Sequence, residues 1–337
     1  MHVYNHEVMN HILIPVGHHP GRHCASTAIC NMVNFHGIGF SEAMCFGIGA
    51  GLGIWYLSYP GIQPSRMIHV RSADIEAQFF NRMGIPFSWQ QYKDPLQAEK
   101  ALCRSLDNGL PSIVQTDIYH LPYYNSSTHF PGHDITIWGY DSSGGEFLIT
   151  DTEREVLLSV PFENMRKALY AKGGFFTMEG NQFAPERLIM PSDMPDVIRR
   201  AVAHNSRVIL SDGYDFQGII GLGKWMRELV DWPQYPDRQW TARFAYQVIE
   251  RRGTGGGGFR LMYADFLQEA HAYVPEISSR GLSMNMREIG HAWTELALSL
   301  KHVSEQTMPD FSAVLEQLKK VRKLEAAYHR EAIELSE

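Results

Sequence analysis

The stretch Gly21-Arg22-His23-Cys24-Ala25-Ser26-Thr27-Ala28-Ile29-Cys30 puts a cysteine where a glycine-containing loop turns into a helix. Ala25, Ala28, Ile29, Met32 and Val33 recur at helical spacing, so one apolar face runs over residues 25–35 before Gly37 stops it. Cys24 then falls in the first helical turn. There the amides unused by the helix and the positive end of its macrodipole favour a thiolate, which lowers the thiol pKa and makes the sulfur a nucleophile at neutral pH. As a lone residue Cys24 reads equally as a small buried hydrophobe. Nucleophilic chemistry needs a partner base from elsewhere in the chain.

That base is offered by Gly132-His133-Asp134-Ile135-Thr136-Ile137-Trp138-Gly139-Tyr140-Asp141, which is followed by Ser142-Ser143-Gly144-Gly145 and Glu146-Phe147-Leu148-Ile149-Thr150-Asp151. Two β-rich runs around a Ser/Gly turn predict a hairpin. With the turn centred near Ser142 and Ser143, His133 lies across from the neighbourhood of Asp151. Cys, His and an acid that orients the ring are what thiol catalysis requires. Singly, His133 reads as a satisfied core histidine and Asp151 as a turn-capping carboxylate. Together with Cys24 at a helix start they read as a triad. Asp134 is the rival acid, but as the next residue on a strand it points away from His133.

Before Cys24, residues 10–16 predict a short strand leading into the histidine-rich loop Gly17-His18-His19-Pro20-Gly21-Arg22-His23. No Cys-x-x-Cys or His-x-x-x-His pair accompanies these imidazoles, so no metal is expected and the loop is read as surface-exposed or substrate-facing. After Gly37, Ser41-Glu42 starts a helix that runs into Phe46-Gly47-Ile48-Gly49-Ala50-Gly51-Leu52-Gly53-Ile54-Trp55-Tyr56. The glycines do not follow a strand and open a helix, so a dinucleotide fingerprint is rejected. Close backbone packing beside the Cys24 helix is expected instead. Helices are predicted over 72–83 and 94–106, strands over 86–92 and 110–116, a short helix over 161–171 and a strand over 174–178. Helices first and strands after is an α+β order.

Residues 180–193 lack periodicity and carry two prolines, which marks a domain boundary. The chain divides on this reading into a catalytic domain over 1–180 and a helical domain over 193–337, the latter with helical periodicity over 197–208, 218–231, 240–252, 259–273, 286–302 and 311–334. Its run Arg251-Arg252-Gly253-Thr254-Gly255-Gly256-Gly257-Gly258-Phe259-Arg260-Leu261-Met262-Tyr263 offers backbone amides to an anion, with Arg252, Arg260 and Tyr263 as substrate-binding candidates beside His23. It reads equally as a joint or a helix contact, and it lacks the Lys-Ser/Thr of a nucleotide-binding loop.

The 337 residues are long enough for two domains and carry a net charge of −7, which argues against generic binding to the phosphate backbone of nucleic acid. Four scattered cysteines make no disulfide framework, and the start His2-Val3-Tyr4-Asn5-His6-Glu7 has no signal pattern, so a reducing cytoplasm is expected. The most apolar run, 43–57, is too short and too rich in glycine to span a membrane.

Four segments carry a family resemblance: Gly21-x-His23-Cys24-x-Ser26, the Ser41-Glu42 start of the glycine-rich run, Gly132-His133-x-Ile135-x-x-x-Gly139-Tyr140-Asp141, and Gly253-Thr254-Gly255-Gly256-Gly257-x-Phe259-Arg260-x-Met262-Tyr263. Together they resemble the butirosin-biosynthesis acyltransferase family, with the helical domain of unknown function that often follows it. The first half is similar to the papain-like fold of bacteriocin leader-processing cysteine peptidases, a Cys-bearing helix packed on an antiparallel sheet. The resemblance implies nucleophile, base and orienting acid at Cys24, His133 and Asp151. Those peptidases place an oxyanion-donating Gln a few residues before the Cys. Here His18 and His19 stand there, so either an imidazole N–H substitutes or the Cys24 amide acts with another donor. The implied reaction moves an acyl group from the phosphopantetheine thioester of an acyl carrier protein, as co-substrate, to the amine of a small molecule, with no bound cofactor. The triad would equally serve a papain-like peptidase or amidase. The helical domain is left two tasks, covering the acyl-enzyme as a lid or pairing copies into a homodimer.

Overall fold

The computed structural model describes residues 11–59, 61, 63–170, 172–173 and 176–336. The reading of His2 to Glu7 lies outside these, as do residues 174–175 of the strand expected over 174–178. The fold is α+β and divides into two compact units, one made of the described residues up to Glu42 with Ile85–Met190, the other of Ala43–Gly84 with the residues from Pro191 on. The sequence division had kept 43–84 with the first half.

In the first unit a six-stranded antiparallel sheet runs in the order Gln182–Phe183, Ser112–Thr116, His133–Asp141, Glu146–Thr150 and Leu158–Pro161, with His11–Leu13 pairing along the far end of the His133 strand. Gly139 is required there, since a Cβ would stand 2.1 Å from the Ile12 carbonyl oxygen. Alternation along the strands sends Ile135, Ile137, Phe147 and Ile149 into a core with Leu102 and Leu106 of the helix Pro95–Asp107 and Met165 and Ala168 of the helix Phe162–Ala168. The intervening Thr136 and Thr150 face the helix Cys24–Phe35, whose Asn31 donates to both hydroxyls at 2.9 and 3.4 Å. Asp94 caps the helix Pro95–Asp107 by accepting from the Leu96 amide, with proline in its favoured first turn.

One expectation fails in this unit, and two strands appear that none had covered. Residues 86–92 form no strand and contribute only the bridge Gln90↔Gln182. The strands Leu158–Pro161 and Gln182–Phe183 were not foreseen. Both are too short to show a period.

The second unit is mostly helical: Met194–Leu210, Gly218–Glu228, Arg238–Glu250, Arg260–Ala270, Leu282–Ser304 and Ser312–Ala332 are its longer helices. The segment 43–84 adds a hairpin, Leu52–Ser58 with Arg66–Arg71, and the helix Ile75–Arg82. The glycines of 46–56 serve packing inside this unit rather than against the Cys24 helix. A Cβ on Gly47 would meet the Phe266 ring at 2.0 Å. Asn205 pairs with both backbone groups of Leu52, and the Tyr56 and Trp225 rings stack at 5.9 Å. Among the described residues no helix is long and apolar enough to cross a membrane.

Candidate active site

Cys24 is the first residue of its helix, with extended His23 as the N-cap. The turn before it is organised by Glu42. Its carboxylate accepts from the amides of Arg22 at 3.0 Å and His23 at 2.8 Å and from the hydroxyls of Ser26 at 2.9 Å and Thr27 at 3.2 Å. A carboxylate over these donors complements the positive end of the helix. Gly21 donates to the Thr152 carbonyl at 2.7 Å, which ties this turn to the residue after Asp151. A Cβ on Gly21 would lie 2.1 Å from the Thr27 hydroxyl, so the close approach requires glycine.

His133 begins its strand, buried, and donates from Nε2 to Asp151 Oδ1 at 2.8 Å. Cys24 is a neighbour of the same ring and helps to raise its pKa. Burial alone would lower the pKa of His133, but the Asp151 carboxylate and the Cys24 sulfur outweigh it and the pKa is raised. Burial would raise Asp151, yet the His133 charge and the hydrogen bonds from His133, Tyr123 and the Thr152 amide hold it well below the usual carboxylate range. Each member of the pair thus favours the charged form of the other.

The hairpin that carries His133 contains a β-bulge. Near the turn Asp141 pairs with Glu146, whereas beyond Trp138 the partners are Ile137↔Ile149 and Thr136↔Thr150. The first register, continued without a break, would set Asp151 opposite Thr136 and on the other side of the sheet from His133. The extra residue shifts the register by one up to the last pair, Thr136↔Thr150, after which Asp151 leaves the strand.

Two tyrosines complete the surroundings. Tyr123 donates to Asp151 Oδ2 at 2.7 Å, and the Tyr124 hydroxyl lies 3.2 Å from His133 Nε2. Sequence reasoning missed both, because they sit on an aperiodic loop whose one signal is a pair of polar-tipped aromatics after Pro122.

The other sequence candidates are placed elsewhere. Both ring nitrogens of His18 are engaged, at 3.1 Å from Asn31 Oδ1 and 2.9 Å from the Arg154 carbonyl, so His18 is a brace rather than an oxyanion donor. His23 is a buried cap that accepts from the Ser26 amide. Arg260 is fully buried and donates to Glu325 at 2.7 Å and to the carbonyls of Val70, Gly258 and Gly53; its guanidinium lies over Trp293. It staples the 43–84 hairpin to the helices and is closed to substrate. Tyr263 is buried as well. The glycine run does hold a carboxylate, but the chain's own: the Gly257 amide donates to Glu250 at 2.8 Å. Arg252 donates to Gln247 and covers the Phe244 ring.

A family model described as Butirosin biosynthesis protein H, N-terminal, matches residues 23–152, a span that begins at the Cys24 turn and ends just beyond Asp151. Residues 23–152 of the chain belong to that family. A second model, Domain of unknown function (DUF4872), matches residues 163–332. The name ties the family to butirosin biosynthesis, a secondary-metabolite pathway. No curated protein matches the chain.

Proposed function

We propose that this chain is a cysteine-dependent acyltransferase of secondary-metabolite biosynthesis, of the papain-like class, which takes an acyl group from a carrier-protein or pantetheine thioester and gives it to an amine. The observation that carries the reading is the row Cys24, His133, Asp151 at the first turn of a helix. An imidazolium beside a thiol favours the thiolate. The thiolate attacks the thioester carbonyl, the new C–S bond forms, and the pantetheine sulfur leaves with the His133 proton. Neutral His133 then takes a proton from the attacking amine as the amide C–N bond forms and the Cys24 thiolate departs. The Cys24 amide, at a helix start, is the donor assigned to the oxyanion. Asp151 keeps the ring oriented throughout and is not itself protonated.

The family name favours biosynthesis over proteolysis, and the test separates the two. Incubation with an acyl thioester of pantetheine should add one acyl mass to the native chain and none to Cys24→Ala, and a primary amine should discharge it as an amide. Peptide cleavage with no amine-dependent product would replace this reading with a peptidase.

A further inference from the structure

Asp117, His120 and His129 converge in the first unit, each offering one ligand atom within 4.8 Å of the others. Asp117, buried to 1% exposure, follows the strand Ser112–Thr116. Its Oδ1 accepts from the amides of Tyr119 at 3.1 Å and Phe130 at 2.8 Å, and its Oδ2 lies 2.6 Å from His129 Nδ1. His120 ends the short turn Ile118–His120, and its ring meets the His129 ring edge-on at 5.8 Å. Beside them a cavity of about 520 Å³ is lined by His120, His129, Glu163, Arg166 and Lys167. The two cations on its wall are already paired, Lys167 with Glu163 and Arg166 with Glu99, both at 2.7 Å.

We propose that Asp117, His120 and His129 bind a divalent transition cation, zinc or a metal of like preference, with water from the cavity completing its shell. Two imidazoles and one carboxylate are the donor set of such ions, whereas magnesium and calcium demand oxygen throughout. Two backbone amides fix the buried carboxylate in advance, which is the orientation a ligand needs. No metal site was expected from the sequence; these ligands lie outside the histidine loop 17–23 on which that expectation turned.

The placement gives the ion a task. Asp117 and His129 are near the two ends of the loop that carries Tyr123 and Tyr124 against Asp151 and His133. A cation bridging the ends clamps that loop, so it acts on the Cys24 site by position and touches no reacting atom. The binding claim does not depend on the acyl-transfer reading.

The test titrates the full-length chain, freed of metal by a chelator, with cobalt(II). The expected result is one equivalent bound with visible tetrahedral bands and no thiolate-to-metal band, with affinity falling at least about 10-fold in His120→Ala and in His129→Ala. The His129 side chain is 56% exposed, so that variant should fold. Zinc should also slow proteolysis within residues 125–130 of the native chain and leave the His129→Ala pattern unchanged. Binding that survives both substitutions, a thiolate band placing the ion at Cys24, or no binding below millimolar cobalt would each overturn the proposal.

Discussion

Asp151 receives four hydrogen bonds on one buried carboxylate, from His133, Tyr123, the Thr152 amide and the Thr152 hydroxyl. Such a group is costly to neutralise, and the cost has a pH signature. The folded pKa of Asp151 lies below its ordinary 3.8, so its contribution is present above that pH and lost as pH falls through the folded value. The folded pKa of His133 lies above 6.5, so its contribution is complete below 6.5 and lost as pH climbs through the raised value. The stability gap between the native chain and Asp151→Asn should therefore be widest between these two pH values, roughly 3–5 kcal/mol, and narrow on both flanks in urea unfolding across a pH series. In turnover, Cys24→Ala and His133→Ala should abolish acyl transfer, while Asp151→Asn should retain roughly 10-fold more activity than either. An active His133→Ala chain would remove the base assignment. Alkylation gives a further check: Cys24, Cys30 and Cys45 are all buried, so reactivity rather than access separates them, and Cys24 has the His133 ring beside it, while the Cys103 thiol is pushed up to about 11 by burial and by Glu99 and Asp107. Cys24 should thus label first near pH 7, and preferential labelling of any other cysteine would count against it. Cys24, His133 and Asp151 stood out in the sequence because a cysteine at a helix start, a histidine and a carboxylate are distinctive residue types, and the structure joins the last two directly. Arg260 was misread because a cation beside glycines looks the same whether it meets a ligand or a buried Glu325.

The hairpin shows what a sequence pattern holds and what it hides. Its two strands and Ser/Gly turn are plain from β propensity and turn residues, but the bulge at Trp138 leaves no trace in composition, and it sets which residues of the two strands pair beyond it. A turn centred at Ser142 and Ser143 with an unbroken ladder would pair Asp151 with Asp134. The right partners were therefore named on a register the chain does not use. The bulge yields a parity rule that can be tested with insertions. One glycine added within the exposed turn after Ser143 leaves every ladder pair in place and should leave Cys24 acylation unchanged. One glycine added between His133 and Asp134 keeps the ladder from Asp134 onward but turns the imidazole away. That chain should melt within a few degrees of the native one and lose at least about 10²-fold in turnover. Retained turnover would show that His133 finds Asp151 by some route other than strand register.

At the scale of the molecule, the helical composition after residue 193 was legible, and the membership of residues 43–84 was not. Periodicity reports which face of an element is apolar, not which other element covers it. The span matched by the N-terminal family model runs straight through this segment. Its side chains Phe46, Ile48, Leu52, Ile54 and Phe79 are fully buried, with Gly47 packed against Phe266 and the Gly53 and Val70 carbonyls held by Arg260. A fragment ending at residue 192 should therefore aggregate, whereas joining 42 to 85 in that fragment should recover soluble protein, as sedimentation of the two lysates would show. A soluble, monomeric 1–192 chain would mean that the segment has an alternative cover. The same connectivity sets a schedule during synthesis. Leu52 waits for Asn205, which is 153 residues behind it, and Gly53 waits for Arg260, 207 residues behind. At the usual pace of translation the first wait lasts about 8–30 s. Throughout it the nascent chain presents an apolar hairpin that has no native partner yet made. Slowing the ribosome between codons 85 and 191 should lengthen that exposure and lower the yield of folded enzyme, with no residue changed.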